Sequence, residues 1–354
     1  MRIAIPKEIK PLEGRVGLVP EACAELIEAG HRVAMETGAG IVSGFGDQAY
    51  RALGVAILPD ARSVYRFAEL LVKVKEPLEP ELELLERRHL LFCFLHLAAN
   101  AELKRRLLEI GLTAVGFETV EEGGELPILA PMSDIAGRIA VQVGTHLLHR
   151  PQGGKGLLLG GLPGAPRGKV VVLGAGKAGG NAVRVAAALG AEVVVFDRRR
   201  GRLEEMRGVG DNVSALFAYP ESLVEAVAAA DLLIGAVLVA GARAPRLVSA
   251  RQVAGMQPGS VVVDVSVDQG GCIETTRPTT YADPVYQEHK VTHFCVTNMP
   301  GAVPRSASLA LSAAVLPCLL RLAAGALDED ASLRAGINVR GGAVVHPALQ
   351  YPLS

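Results

Sequence analysis

No sign of charge dominates this chain. Its 36 Lys and Arg stand against 37 Asp and Glu, a formal net charge of −1, and the basic residues are interspersed with acids. Nothing therefore points to nucleic acid or to an anionic membrane surface, both of which leave basic patches. Cysteine is equally sparse: Cys23, Cys93, Cys272, Cys295 and Cys318 are scattered, odd in number and without a C-x-x-C pair. That pattern excludes a disulfide framework and a zinc site and predicts reduced, mostly buried thiols in a cytoplasmic protein. The N-terminus opens directly on M-R-I-A-I-P, a strand rather than a signal-peptide core. The most apolar late stretch, 306–326, approaches the length of a bilayer span but carries Pro317 and Arg321 and is rich in Ala and Ser. It reads as a packed core helix. No internal repeat is present.

At 354 residues the chain is long enough for two domains, each with its own core. The stretch 169–197 organises the rest. A β-branched run meets Gly174, Gly176 and Gly179 at G-x-G-x-x-G spacing, an Ala/Val-rich helix pattern stops at Gly190, and a second apolar run ends on Asp197. Gly174 permits a tight turn, Gly176 lets the backbone approach a pyrophosphate, and Gly179 lets helix and strand pack closely. The free N–H groups at the helix start attract phosphate. A carboxylate about 20 residues on takes the ribose hydroxyls. A lone glycine motif is weak evidence; strand, helix, strand and terminal acid together predict a dinucleotide site. Asp197 favours NAD over NADP by repelling a 2′-phosphate, although Arg198, Arg199 and Arg200 follow it directly.

The first third alternates strand-like runs at 3–5, 32–35, 70–74, 89–94 and 113–117 with helix patterns at 20–29 and 101–110, each closed by a glycine, Gly30 and Gly111. Such alternation predicts a parallel, doubly wound sheet with its ligands at the carboxyl ends of the strands. Lys75, His96 and Glu118 follow three of those runs, and Arg15 lies in the polar loop after the first. Taken singly, Arg15 and Lys75 could be solvated loop cations and His96 a satisfied buried histidine; their shared placement on one edge points to function. Glu118 reads as a satisfied strand-end acid rather than a cation ligand, and no metal site is expected.

From residue 131 a long apolar-striped helix is expected, with Ser133 as N-cap and Asp134 in its first turn, a strut between two domains. The Gly/Pro-dense segment 151–168 reads as a loop with a short hairpin. Runs at 232–237, 261–265 and 292–296 complete a six-strand pattern, whose carboxyl ends carry Asp268 and Asn298; Asp264 lies inside an apolar run. Pro304 opens the late apolar helix, which returns to the first domain, and the tail 333–354 reads as short and irregular. The fold class is therefore α/β with two doubly wound domains: a Rossmann domain, 131–302, inserted into a discontinuous substrate domain, 1–130 and 303–354.

If the two sheets face each other, a cleft receives Arg15, Lys75 and His96 from one side and Asp268 and Asn298 from the other. Two cations and a histidine suit a small 2-oxo or 2-amino acid. Arginine forks onto the carboxylate, a lysine ammonium polarises the 2-oxo group, and histidine passes protons near neutral pH. Reductive amination needs a second acid/base, for which Asp268 is placed; simple hydroxy-acid oxidation does not.

The chain resembles the NAD-dependent alanine dehydrogenases along nearly its whole length. The resemblance rests on P-K-E-I-K at 6–10, R-V at Arg15, E-T-G-A-G at 36–40, K-V-K-E-P at 73–77, L-H-L-A-A at 95–99, E-T-V at 118–120 and P-M-S at 131–133. It continues through P-Q-G-G-K-G at 151–156, the glycine motif, D-Q-G-G-C-I-E-T at 268–275 and N-M-P-G-A-V-P-R at 298–305. The resemblance implies that Arg15 holds the substrate carboxylate, Lys75 the carbonyl and Met132 the pocket wall, with His96 and Asp268 as catalytic acid/bases. Ser133, Asp197, Arg202, Leu238, Val265, Asp268, Asn298 and Met299 would join the glycines in contacting NAD. It further implies L-alanine, pyruvate and ammonium as substrates, a homohexamer, and closure on substrate. The chain departs from the family pattern at Gly14 (usually Asn), Asp134 (Glu), Ser266 (Ala) and Lys177 (apolar). Two relatives offer alternatives: the NAD-binding component of the proton-translocating transhydrogenase, whose Arg-Gln-Asp loop is missing here, and saccharopine-type dehydrogenases of bulkier amino acids.

Overall fold

The computed structural model describes residues 1–237 and 244–350. The chain divides into two compact units, one formed by residues 1–132 and 301–354, the other by residues 133–300. In chain order the strands of the first unit are β1 (Arg2–Ile5), β2 (Arg32–Glu36), β3 (Ala56–Leu58), β4 (Leu70–Val72), β5 (Leu90–Cys93) and β6 (Thr113–Gly116). The second unit supplies β7 (Lys169–Leu173), β8 (Glu192–Asp197), β9 (Val213–Phe217), β10 (Leu232–Gly235), β11 (Val261–Asp264), β12 (Val285–Glu288) and β13 (Val291–Phe294). The returning tail adds β14 (Ile337–Arg340) and β15 (Ala343–Val344) to the first.

Among the described residues the first unit holds an eight-stranded sheet in the order β15-β14-β6-β5-β4-β1-β2-β3. From β3 to β6 all pairs are parallel, and β14 runs antiparallel to β6. The central strands are apolar on both faces, as parallel strands covered by helices must be: Leu70, Leu71 and Val72 are fully buried. The helix Ala101–Ile110 starts where the Asn100 side chain accepts the Leu103 N–H at 3.0 Å and stops at Gly111 in the left-handed region. The second unit holds a seven-stranded sheet, β12-β13-β11-β10-β7-β8-β9 among the described residues. Six of these are parallel and β12 closes the edge antiparallel to β13. Both sheets thus run their six parallel strands in one order, with the chain reversing direction between the first and fourth. That crevice is where doubly wound sheets bind ligands.

Three sequence expectations need correction. The tail is not irregular: it forms a helix, Ala331–Ala335, and the hairpin β14–β15, joined by Gly341 (φ 60°) and Gly342 (φ 86°). A Gly-Gly pair between short apolar runs is the signal for such a turn. The helix after residue 130 spans Ala130–Leu147, so Ser133 and Asp134 lie inside it rather than at its cap. Pro131 falls in the first turn, where its missing N–H costs nothing. The six-strand pattern expected of the second unit becomes a seven-stranded sheet among the described residues: the five runs named from the sequence are joined by β9 and β12, short edge strands with exposed or polar faces that carry weak periodicity.

The helix Pro304–Ala323 is long and apolar enough to cross a membrane by length and composition alone. In the first unit it buries Ala307, Leu311, Val315, Leu319 and Leu322, a helical stripe. Its Ser308 and Ser312 hydroxyls accept the Val16 and Val19 N–H groups at 3.0 and 3.1 Å. All five cysteines are buried and free.

Candidate functional site

In the first unit the chemistry collects on the carboxyl edge of the sheet. Arg15 lies in the loop after β1, Lys75 after β4, His96 after β5 and Glu118 after β6, four adjacent parallel strands. Arg15 is 2% exposed. Its Nε and its backbone N–H donate to Glu13 Oε1 at 2.7 and 3.0 Å, and its Nη2 donates to Oε2 at 2.5 Å. Nη1 lies 3.2 Å from Met132 Sδ. Ser43 fixes the loop by donating to the Gly14 carbonyl at 2.7 Å, and a Cβ on Gly14 would run into the Val42 side chain. A glycine before the arginine therefore accommodates Val42 while Glu13 anchors the guanidinium.

Two lysines two residues apart meet opposite fates. Lys73 is fully buried between Glu81 Oε1 at 2.5 Å and Glu8 Oε2 at 3.3 Å. Burial alone would pull its pKa down, but these two carboxylates overcome it and hold the ammonium charged. Lys75 is pushed below the ordinary lysine value, first by burial and then by the neighbouring Arg15 guanidinium, against the pull of Glu76. A lysine with depressed pKa beside an arginine is a candidate functional group, whereas Lys73 is a buried strut.

His96 occupies the left-handed region at φ 50°, unusual for a side chain of this size and worth about 1–3 kcal/mol of strain. The Glu118 carboxylate sustains it, accepting the His96 N–H at 2.7 Å and the Leu95 N–H at 3.2 Å. The exposed imidazole stacks parallel on Phe94 with ring centroids 5.8 Å apart. Glu118 is thus a satisfied acid, and one whose bonds determine how His96 leaves the strand.

In the second unit the glycine turn joins β7 to the helix Lys177–Ala188. Gly174 has φ 94°, and a Cβ there would approach the Ala236 carbonyl oxygen to 2.6 Å. A Cβ on Gly179 would collide with the Gly174 carbonyl oxygen. At Gly176, the helix N-cap, the nearest group to an added Cβ is the Arg202 guanidinium at 3.5 Å, so the approach to the helix N-terminus stays open. Asp197 ends β8, accepting the Ala175 and Arg199 N–H groups at 2.8 Å each, with Arg202 Nη1 3.7 Å away. Of the arginines that follow it, Arg200 pairs with Glu204 at 2.8 Å. Ser133 sits four residues before Gly137, whose missing side chain lets the helix rest on Ala178, and Asn181 Nδ2 donates to Asp134 at 2.8 Å. These contacts hold Ser133 near the glycine turn.

β11 ends in Asp264, fully buried, whose carboxylate accepts from Ser266 N at 2.9 Å, Cys272 N at 3.0 Å and Thr276 Oγ1 at 2.7 Å. These bonds shape the turn Val265–Gln269, which presents Asp268 at the surface. Ser266 in turn accepts the Val237 N–H at 2.8 Å, tying the ends of β10 and β11 together. Asn298 follows β13 with φ 87°, and the Met299 carbonyl accepts the Tyr281 hydroxyl at 2.8 Å. Leu238 lies outside the described residues. Glu13 and the part played by Asp264 escaped the sequence reading. The signals were an acid two residues before the arginine and an acid at the end of an otherwise apolar V-V-V run.

A bare glycine turn, an open helix N-terminus and a carboxylate on the next strand are what a dinucleotide requires. With a second doubly wound sheet bearing two cations and a histidine, they define a dinucleotide-dependent oxidoreductase acting on a small anionic substrate. Residues 4–136 match the family described as Alanine dehydrogenase/PNT, N-terminal domain, and residues 140–347 match Alanine dehydrogenase/PNT, C-terminal domain. The chain belongs to this family. It is 46% identical over 359 residues to the alanine dehydrogenase of Bacillus subtilis (strain 168), covering 100% of this chain and 95% of that one. A solved L-alanine dehydrogenase superposes with a TM-score of 0.95 at 50% identity, covering 99% of this chain and 98% of the other. A transhydrogenase from Sinorhizobium meliloti superposes with a TM-score of 0.86 at 28% identity, covering 98% of this chain and 100% of that one.

Proposed function

We propose that this protein catalyses the reversible NAD-dependent oxidative deamination of L-alanine: L-alanine, NAD⁺ and water give pyruvate, ammonium, NADH and a proton. The observation that carries the reading is the buried Arg15 with Met132 against its Nη1 and a low-pKa Lys75 beside it. They stand in a chain matched over its full length by alanine dehydrogenases. Arg15 binds the substrate carboxylate, Lys75 donates to the carbonyl oxygen of pyruvate, and Met132 lines the pocket that takes the small side chain.

NAD, when bound, accepts the hydride from the substrate Cα. Gly174, Gly176 and Gly179 admit its pyrophosphate, and Asp197 takes its ribose hydroxyls, with Arg202 alongside. By the family resemblance, Ser133, Leu238, Val265, Asp268, Asn298 and Met299 would complete its contacts. His96 takes and returns the proton at the reacting centre, its backbone fixed by Glu118. Asp268 is the second acid/base, assisting loss of water from the carbinolamine in the aminating direction. The five buried free thiols support a reducing, cytoplasmic setting. The resemblance to the family supports a homohexamer.

The deciding experiment follows NADH absorbance with ammonium and a panel of 2-oxo acids. Rapid oxidation with pyruvate is expected, and none with pyruvate overturns the reading.

A further inference from the structure

NAD alone leaves the arginines after Asp197 without a task. The Asp197 carboxylate is largely engaged within the second unit: Oδ2 accepts the Ala175 N–H and Oδ1 the Arg199 N–H, both at 2.8 Å. Its side chain is 10% exposed, and Arg202 Nη1, 3.7 Å from Oδ2, offsets part of its charge. Beside this acid the chain turns basic. Arg198 and Arg199 are exposed, and the first turn of the helix Arg200–Arg207 holds no acid. A cavity of about 680 Å³ adjoins this end of β8, where the Ala218 N–H donates to the Asp197 carbonyl at 3.3 Å. Ala218, Pro220 and Leu247 give it apolar wall. Arg198, Arg246 and Arg251 give it three guanidiniums, and among the described residues no acid lines it and none of the three has an ion-pair or hydrogen-bond partner. A dinucleotide whose ribose hydroxyls meet Asp197 brings its adenosine to this end of the sheet. A guanidinium there can stack on the base and fork onto a phosphate. NAD carries no phosphate on that ribose; NADP carries one at the 2′ position.

We propose that the ribose end of the cofactor site also accepts a 2′-phosphate, with Arg198 as its main partner, so that NADP is a second hydride acceptor for this enzyme. The chemistry is unchanged: L-alanine, NADP⁺ and water give pyruvate, ammonium, NADPH and a proton. This rests on the proposed alanine chemistry and on the NAD site. It concerns one phosphate on one hydroxyl, so two ligands isolate it: NADPH and NADH differ in that group alone.

The test is a fluorescence titration of the full chain with NADPH and with NADH, for wild type, Arg198→Leu and Arg198→Lys. Low ionic strength is used, where exposed charges are least screened. Wild type is expected to bind NADPH within about tenfold of NADH, where an unassisted Asp197 would reject it more strongly. Arg198→Leu weakens NADPH relative to NADH by at least about fivefold, and Arg198→Lys, which keeps the charge, by less. A merely structural role moves both dissociation constants together and leaves their ratio alone. In steady state, wild type is expected to aminate pyruvate with NADPH at a kcat/KM of at least about 1% of that with NADH. The proposal is overturned if wild type binds NADPH more than about tenfold more weakly than NADH, or not at all, a result that requires no variant to fold. It is equally overturned if NADPH turnover falls below that fraction, if Arg198→Leu shifts the ratio by less than about fivefold, or if Arg198→Lys behaves like Arg198→Leu. Failure of wild type to oxidise L-alanine with NAD sinks the functional reading itself; normal oxidation with NAD and rejection of NADPH sinks only the 2′-phosphate proposal.

Discussion

Replacing Asp264 by Asn changes no volume and one charge, so its consequences can be worked from the hydrogen bonds. Oδ1 accepts the Ser266 N–H at 2.9 Å; Oδ2 accepts the Cys272 N–H at 3.0 Å and the Thr276 hydroxyl at 2.7 Å. A carboxylate serves all three because both its oxygens only accept. An asparagine amide cannot. In either orientation its NH₂ faces a backbone N–H, of Ser266 or of Cys272, and the turning of a hydroxyl relieves neither clash. One buried backbone donor is left unsatisfied, at a cost of about 1–3 kcal/mol. The remaining bonds lose their charge assistance. For a domain of this size the melting temperature is expected to fall by roughly 4–10 °C, read by differential scanning calorimetry. The same bonds shape the turn that carries Asp268, so kcat for alanine oxidation should drop by about tenfold or more, with a smaller change in KM. A variant melting within about 1 °C of wild type and keeping kcat within about twofold would refute this account of the turn.

Two further outcomes follow from other parts of the chain. Glu118→Ala strands the Leu95 and His96 N–H groups and removes what sustains the left-handed backbone at His96; kcat should fall about tenfold to a hundredfold with NADH affinity unchanged, and steady-state rates with a fluorescence titration decide it. His293 is fully buried, its Nδ1 donating to the Val291 carbonyl at 3.0 Å and its Nε2 accepting the Thr275 hydroxyl at 2.8 Å, and burial holds its pKa below the ordinary histidine value. The unfolded state therefore takes up the proton first, and stability present above about pH 6.5 is lost as pH falls through that value toward the folded one. His293→Gln should melt with less pH dependence between about pH 7 and 5 than wild type; equal slopes would show that this histidine does not carry the effect.

The sequence by itself determined the local grammar. The glycine spacing, the run to Asp197 and the strand–helix alternation followed from backbone sterics and periodicity, which neighbours along the chain decide. They located Gly174, Gly176 and Gly179, and the turns that carry Arg15, Lys75 and His96. The short edge strands β3, β9 and β12 escaped because a few half-exposed residues carry too little pattern. What the tertiary structure alone decided is electrostatic and positional. Lys73 and Lys75 look alike in K-V-K, yet three-dimensional packing gives one two carboxylate partners, Glu81 nearby in the chain and Glu8 far from it, and the other an arginine neighbour. Glu13 beside Arg15, Glu118 beneath His96 and Asp264 within its turn differ from ordinary loop acids only through burial and partners. The energy of a charge depends on the dielectric and the charges around it, and folding brings those together from residues far apart in the chain.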